Sequence, residues 1–270
     1  MAEPSTLTED GKPKVAVYKF SSCDGCQLSL LNLEDELLDL VGAVEIAYFL
    51  EARRRELPPP YHLGLVEGSI STPEEEHRIH QIRRDCKILV TIGACATSGG
   101  IQALKNWGDK DEFINAVYAH PEYIETLDTA TPIASHVFVD FELRGCPINH
   151  YQILELISAL LVGRKPVTPT HAVCVECKRK GIPCRLVSGG QPCLGPITQT
   201  GCGALCPDVN RGCYGCFGPS EQPNIPSLGN RLGDLGYGAA DVKRMLRMFN
   251  GYLEPFKQAS DHYERLEESV

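Results

Sequence analysis

The sequence predicts an α/β fold: a parallel sheet with helices on both faces over residues 1–165, an irregular Cys-rich segment over 166–230, and C-terminal helices over 231–270. Three observations predict it. Short β-branched runs alternate with amphipathic stretches through the first 165 or so residues. From Pro166 to about Pro226 periodicity fades while Cys, Gly and Pro accumulate. Helical spacing returns from Gly238.

In chain order, Val15 to Phe20 is a compact apolar run that ends at Ser21-Ser22-Cys23, a first strand. Leu30, Leu33, Leu37 and Leu40 then share one face of a helix, with Glu34, Asp35, Glu36 and Asp39 elsewhere. Glu45 to Leu50 reads as a second strand and Leu63 to Val66 as a third. Thr72, Pro73 and Glu75 form an N-cap, a first-turn proline and a capping box for the next helix. Ile88 to Ile92 is a fourth strand and Val137 to Phe141 a fifth. Ile153, Leu156, Ile157, Leu160 and Leu161 make a helical stripe stopped by Gly163. This alternation implies a parallel sheet buried on both faces. The stretch after Pro166 has too few large apolar residues to order itself by burial, so ligands must hold it. Val242, Met245, Leu246, Phe249, Tyr252, Leu253 and Phe256 give the closing helical pattern, and the polar end from Glu264 to Val270 is expected to fray.

The chain has 270 residues, 43% of them hydrophobic, and 26 Lys and Arg against 35 Asp and Glu, a net charge of −9. That acidic balance argues against a nucleic-acid surface. Arg53-Arg54-Arg55 sits between Glu51 and Glu56 and reads as a solvated face. The opening residues, Met1 to Asp10, have neither a cationic start nor an apolar stretch, so no signal peptide is expected, and no apolar run is long enough for a membrane span. Thirteen cysteines then mean either a secreted disulfide framework or reduced thiolates that bind metal, and a cytoplasmic chain favours metal.

Four cysteines fall just past strand ends: Cys23 and Cys26 after the first, Cys95 after the fourth, Cys146 after the fifth. In an open parallel sheet ligands bind outside the carboxyl ends of the strands, so three loops deliver four thiols to one edge. Four thiolates suit zinc or a 4Fe–4S cluster. With a single Cys-x-x-Cys knuckle and flanking Gly25, Gly93, Gly99, Gly100 and Gly145, backbone N–H groups can approach a bulky anion, which favours the cluster. Cys86 precedes its strand and belongs at the opposite edge as a structural thiol.

Eight more cysteines occupy 43 residues: Cys174, Cys177, Cys184 and Cys193, then Cys202, Cys206, Cys213 and Cys216. Eight thiolates fill two four-ligand sites, histidine is scarce, and the Gly and Pro between them suit wrapping cubanes better than zinc knuckles. Twelve ligands make three cubanes with one cysteine over. A string of clusters serves to move single electrons between a buried reaction centre and a surface partner.

These residues resemble the small subunit of NiFe hydrogenases. The resemblance rests on Cys23-Asp24-Gly25-Cys26-Gln27-Leu28-Ser29, Val66-Glu67-Gly68-Ser69, Gly93-Ala94-Cys95-Ala96 with Gly99-Gly100, and Gly145-Cys146-Pro147. Pro192-Cys193-Leu194-Gly195-Pro196 and Gly212-Cys213-Tyr214-Gly215-Cys216 add to it, so it runs from about residue 13 to 220. It implies a flavodoxin-like first domain holding a proximal 4Fe–4S cluster at Cys23, Cys26, Cys95 and Cys146, facing the nickel–iron centre of a separate large subunit. It implies a distal cluster at Cys174, Cys177, Cys184 and Cys193 and a medial one at Cys202, Cys206, Cys213 and Cys216. The periplasmic branch opens its distal site with histidine where this chain has Cys174, and binds a three-iron medial cluster where this chain offers Cys206. With no twin-arginine signal either, the resemblance points to the cytoplasmic, multimeric branch of sulfhydrogenase or NADP-linked type. The methanogen-type branch is similar too.

Glu67 follows a strand on the cluster edge and either hydrogen-bonds the proximal site or faces solvent. The implied partners are the large subunit, a flavin/NAD(P)-binding (diaphorase-type) subunit and further iron–sulfur subunits. This chain alone offers no nickel–iron ligands, so catalysis belongs to the partner chain. The competing readings are a quinone-reductase subunit of a respiratory complex, which has adjacent cysteines and one cluster, and a redox-sensing iron–sulfur protein.

Overall fold

The computed structural model describes residues 5–268, so Met1–Pro4 of the opening segment and Ser269–Val270 lie outside the described residues. The chain divides into two units, Met1–Lys165 and Pro166–Val270.

In the first unit, β1 (Lys14–Lys19), β2 (Glu45–Phe49), β3 (Tyr61–Glu67), β4 (Cys86–Ile92) and β5 (Phe141–Leu143) form one sheet in the order β2-β1-β3-β4-β5. All neighbouring pairs are parallel. This is the flavodoxin-like doubly wound order. Helices α1 (Gly25–Leu31), α2 (Asp35–Ala43), α3 (Pro73–Asp85), α4 (Gly93–Ser98), α5 (Lys110–Val117) and α6 (His150–Leu161) surround it. Strand side chains alternate between two cores, as the pleat requires. Val15, Val17, Leu63, Leu65, Val90 and Ile92 pack with Leu30 of α1 and Ile153, Leu156 and Ile157 of α6. Ala16, Tyr18, Val66 and Leu89 pack with Ile79 and Ile82 of α3.

Two elements depart from the sequence expectation. The leucine stripe from Leu30 to Leu40 is broken between α1 and α2, where Glu34 takes a positive φ of 54°. The fifth strand is not Val137–Phe141 but Phe141–Leu143, with Phe138 75% exposed. Asp140 explains the shift: its Oδ2 accepts from Leu89 N at 2.8 Å and from Arg83 Nη1 at 2.6 Å, so the side chain fixes the entry and regular pairing starts after it. Cys86 is the first residue of β4, opposite Tyr61 and 4% exposed, at the amino end of the strand.

The second unit consists of α7 (Cys174–Arg179), α8 (Arg185–Ser188), α9 (Leu205–Asp208), α10 (Ile225–Asp234), α11 (Ala239–Leu246) and α12 (Phe256–Glu268). The closing helices share one core with the cysteine segment: Leu228, Leu232, Val242, Leu246 and Phe256 pack with Val173, Leu194, Ile197, Cys193 and Cys213. Helix α10, at the seam between the two expected segments, starts on Asn224, whose Oδ1 accepts from Ser227 N at 3.1 Å. The closing stretch from Glu264 is helical as far as Glu268, and Ser269–Val270 lie outside the described residues. Arg247 grips Glu264 with two nitrogens at 2.8 and 2.7 Å. No helix among the described residues is long and apolar enough to cross a membrane.

Candidate metal centres

The sheet register builds the first centre. Lys19, Glu67, Ile92 and Leu143 lie side by side across β1, β3, β4 and β5, so the chain leaves these strands at one level. Cys95 stands three residues past Ile92 and Cys146 three past Leu143, while Cys23 and Cys26 follow Lys19 into α1. Ala94 N donates to Gly145 O at 2.7 Å and ties the Cys95 and Cys146 loops together. The capping Glu75 of α3 accepts from Ser21 Oγ at 2.9 Å and so holds the loop that leads to Cys23. Gly93 turns with φ of 85°, and a Cβ there would overlap Cys26 Sγ, so the absence of a side chain is what admits that thiol.

The four thiols lie within electrostatic reach of one another. Burial pushes Cys95 up to about 12; a hydrogen bond with Gln102 opposes this, and Cys146, Cys23 and Glu67 add to it. Burial, then Glu67, hold Cys26 well above the usual thiol range, with Cys95 and Cys146 adding. Burial, then Cys23 and Glu67, raise Cys146.

Glu67 does not face solvent. It is 2% exposed, its Oε1 accepts from Cys26 N at 3.0 Å, and its Oε2 accepts from Gln27 Nε2 at 2.8 Å. The sequence marks Gln27 only as part of the Cys23–Ser29 motif, with no role of its own, and does not mark Gln102. A polar residue on the same buried helix face as Cys26 and Leu30 was the available signal for Gln27. Gln102 Nε2 donates to Ser21 O at 2.9 Å, and nothing in its spacing marks it.

In the second unit Cys174, Cys177, Cys184 and Cys193 all line one cavity of about 100 Å³, together with Gly195 and Pro207. Burial raises Cys174 to about 11, and Cys193, Cys177 and Cys184 add to it in that order. Burial raises Cys206, with Cys202 next; burial holds Cys213 well above the thiol range, with Cys193 and Cys216 adding. Cys193 lies within reach of both pairs, and its Sγ accepts from Cys213 N at 3.2 Å. The eight thiols thus form one continuous group, whose first four line a common cavity.

The donor set and the space fit iron–sulfur clusters. Four thiols around a space about three times the share of one water molecule suit a multi-atom group. With their pKa values raised by burial, these thiols would give up protons on binding such a group.

Residues 23–160 match the family described as NADH ubiquinone oxidoreductase, 20 Kd subunit. The Cys174–Cys216 segment lies beyond that match, and relatives that span it are hydrogenase subunits. Sulfhydrogenase 2 subunit delta of Pyrococcus furiosus is 34% identical over 236 residues, covering 87% of this chain and 98% of the relative. A subunit of the vhu F420-non-reducing hydrogenase of Methanocaldococcus jannaschii is 35% identical over 274 residues, covering 90% of this chain and 95% of the relative. Among solved structures, a chain of an NAD+-reducing [NiFe]-hydrogenase in the H2-reduced state superposes with a TM-score of 0.54 at 27% identity, over 58% of this chain and 96% of that one. The chain therefore belongs to the NADH ubiquinone oxidoreductase 20 kDa subunit family and, within it, to the small, electron-transfer subunits of NiFe hydrogenases.

Proposed function

We propose that this subunit relays electrons through three 4Fe–4S clusters between the nickel–iron centre of a large subunit and a flavin/NAD(P) diaphorase-type or other iron–sulfur partner, in the cytoplasm. The observation that carries the reading is the cavity lined by Cys174, Cys177, Cys184 and Cys193, four thiols with no other metal donor in its lining. The proximal ligands would be Cys23, Cys26, Cys95 and Cys146, and the medial ligands Cys202, Cys206, Cys213 and Cys216. Clusters so held supply one-electron carriers whose potentials follow burial and hydrogen bonding to sulfur.

The residues of the chain supply the rest. Gly93 lets Cys26 Sγ approach the sheet edge, and Ala94 N–H to Gly145 O keeps two ligand loops in register. Glu67 fixes the backbone of Cys26 and carries a buried carboxylate beside three of the thiols, so it orients a ligand and disfavours added negative charge there. Gln27 holds that carboxylate from the other side. A quinone-reductase role accounts for the 23–160 match but leaves the eight later cysteines without a use.

Metal analysis tests the reading. The purified chain should carry about 12 iron and about 12 sulfide with no stoichiometric zinc, and two zinc ions bound by the 166–230 segment would overturn it.

A further inference from the structure

The chain carries a net charge of −9, yet between residues 171 and 216 it has five Lys and Arg (Lys178, Arg179, Lys180, Arg185, Arg211) against two acids (Glu176, Asp208). The surplus is concentrated at the end of α7 and the start of α8, the elements beside the four-thiol cavity. Lys178 and Arg185 line the cavity itself, and Arg179 and Lys180 follow directly in the chain, both exposed. Of the five, Lys180 pairs with Asp208 at 3.5 Å; no carboxylate of the described residues lies within 4.0 Å of the other four.

Apolar surface adjoins these cations. Val187 on α8 is 71% exposed and Leu205 on α9 is 62% exposed. The two helices are held together, since Arg185 Nε donates to Pro207 O at 3.2 Å. Cys184, between the basic run and α8, is itself exposed. Cations and exposed apolar side chains on the elements beside a thiol cavity have the composition of a docking site.

We infer that the basic rim of Lys178, Arg179, Lys180 and Arg185 is the docking surface for an acidic redox protein, which meets Val187 and Leu205 with apolar side chains and the rim with carboxylates. The occupant follows from charge: the rim is cationic on a chain of net charge −9, so a partner with an acidic face is drawn to it against the sign of the whole molecule. A redox protein fits better than an anionic lipid surface because the rim frames the cavity assigned to an electron carrier. The inference rests on that assignment.

The test uses the purified native complex. A zero-length carbodiimide reagent joins a lysine to a carboxylate only where the two touch. At about 0.05 M salt it should link Lys178 or Lys180 to Asp or Glu of an iron–sulfur or flavin-binding subunit, with the yield collapsing at about 0.5 M salt. Arg179→Glu with Lys180→Glu, neither lining the cavity, should lower retention of that subunit about tenfold at low salt and leave the iron content of this chain unchanged. Arg54→Glu, an exposed reversal in the other unit, should have no effect. Links confined to this chain or the large subunit, with retention unaltered, overturn the docking surface. So does binding of the complex to phosphatidylglycerol vesicles that the double reversal abolishes while retention of every subunit stays the same. An iron-free chain would instead sink the relay reading, whatever the links show.

Discussion

Gly93→Ala separates the backbone role of that glycine from its role beside a ligand. Gly93 and Gly163 both adopt positive φ, 85° and 69°. An alanine at either position costs about 1–2 kcal/mol of backbone strain. At Gly163 a Cβ would meet nothing within 4 Å, so strain is the whole effect. For a unit of this size that should lower Tm by about 2–8 °C with iron content unchanged. At Gly93 the Cβ would in addition overlap Cys26 Sγ, with Gly145 O at 3.6 Å behind it, so the thiol must leave its place. Gly93→Ala should therefore lose about four iron per chain, the content of one cubane, while the later cysteines keep theirs. The assay is iron and sulfide analysis beside thermal unfolding of both variants. If Gly93→Ala keeps full iron and falls in Tm no further than Gly163→Ala, Cys26 is not held there as a ligand.

Further outcomes follow from the same geometry. Gly64→Ala places a Cβ onto Cys86 Sγ and should destabilise by about 1–3 kcal/mol, whereas Cys86→Ala alone costs about 1 kcal/mol and no iron. The double variant should be more stable than the sum of the two predicts, and strict additivity in denaturant unfolding would refute the contact. Cys206→Ala should lower iron by one per chain and give the oxidised protein a three-iron paramagnetic signal, with H2 isotope exchange at the large subunit near normal. In the metal-free chain, burial raises Cys95 of the first unit from the ordinary 9.0 to about 12, so the stability of that unit should hold below pH 9 and decline as pH rises toward 12. The metal-loaded chain should show the opposite sensitivity, losing iron to a chelator faster as pH falls, because protons then compete for the ligands.

Much of this was legible in the residues. Short apolar runs gave β1 to β4 because strands buried on both faces need nothing else, and the Thr72–Glu75 capping box appears as its residue types require. Periodicity could not show the break at Glu34, since Leu30, Leu33, Leu37 and Leu40 keep helical spacing across it. It misplaced β5 because Val137 to Val139 look like a strand, while the side chain of Asp140 decides where pairing begins. At the site, strand-end position identified the four loop thiols. Spacing could not tell which way Glu67 points; that depends on a hydrogen bond to a backbone amide 41 positions away. The basic run Lys178-Arg179-Lys180 stands in the sequence, but that it joins Arg185 beside the four-thiol cavity is tertiary.

The row formed by Lys19, Glu67, Ile92 and Leu143 bears on the order of biosynthesis. Thiols that this row gathers come from positions as far apart as Cys23 and Cys146, so they converge only after β1, β3, β4 and β5 have zipped in register. Closing so long a loop carries its entropy cost before any ligand can compensate. The eight thiols from Cys174 to Cys216 are local by comparison, and iron delivered to them can drive their own folding. A cell loading this protein would meet two different acceptors on one chain: a finished socket that waits for the sheet, and a loose segment that iron itself shapes. Interrupting iron supply during synthesis should then leave the first unit folded and the second collapsed, a pattern that limited proteolysis would read directly.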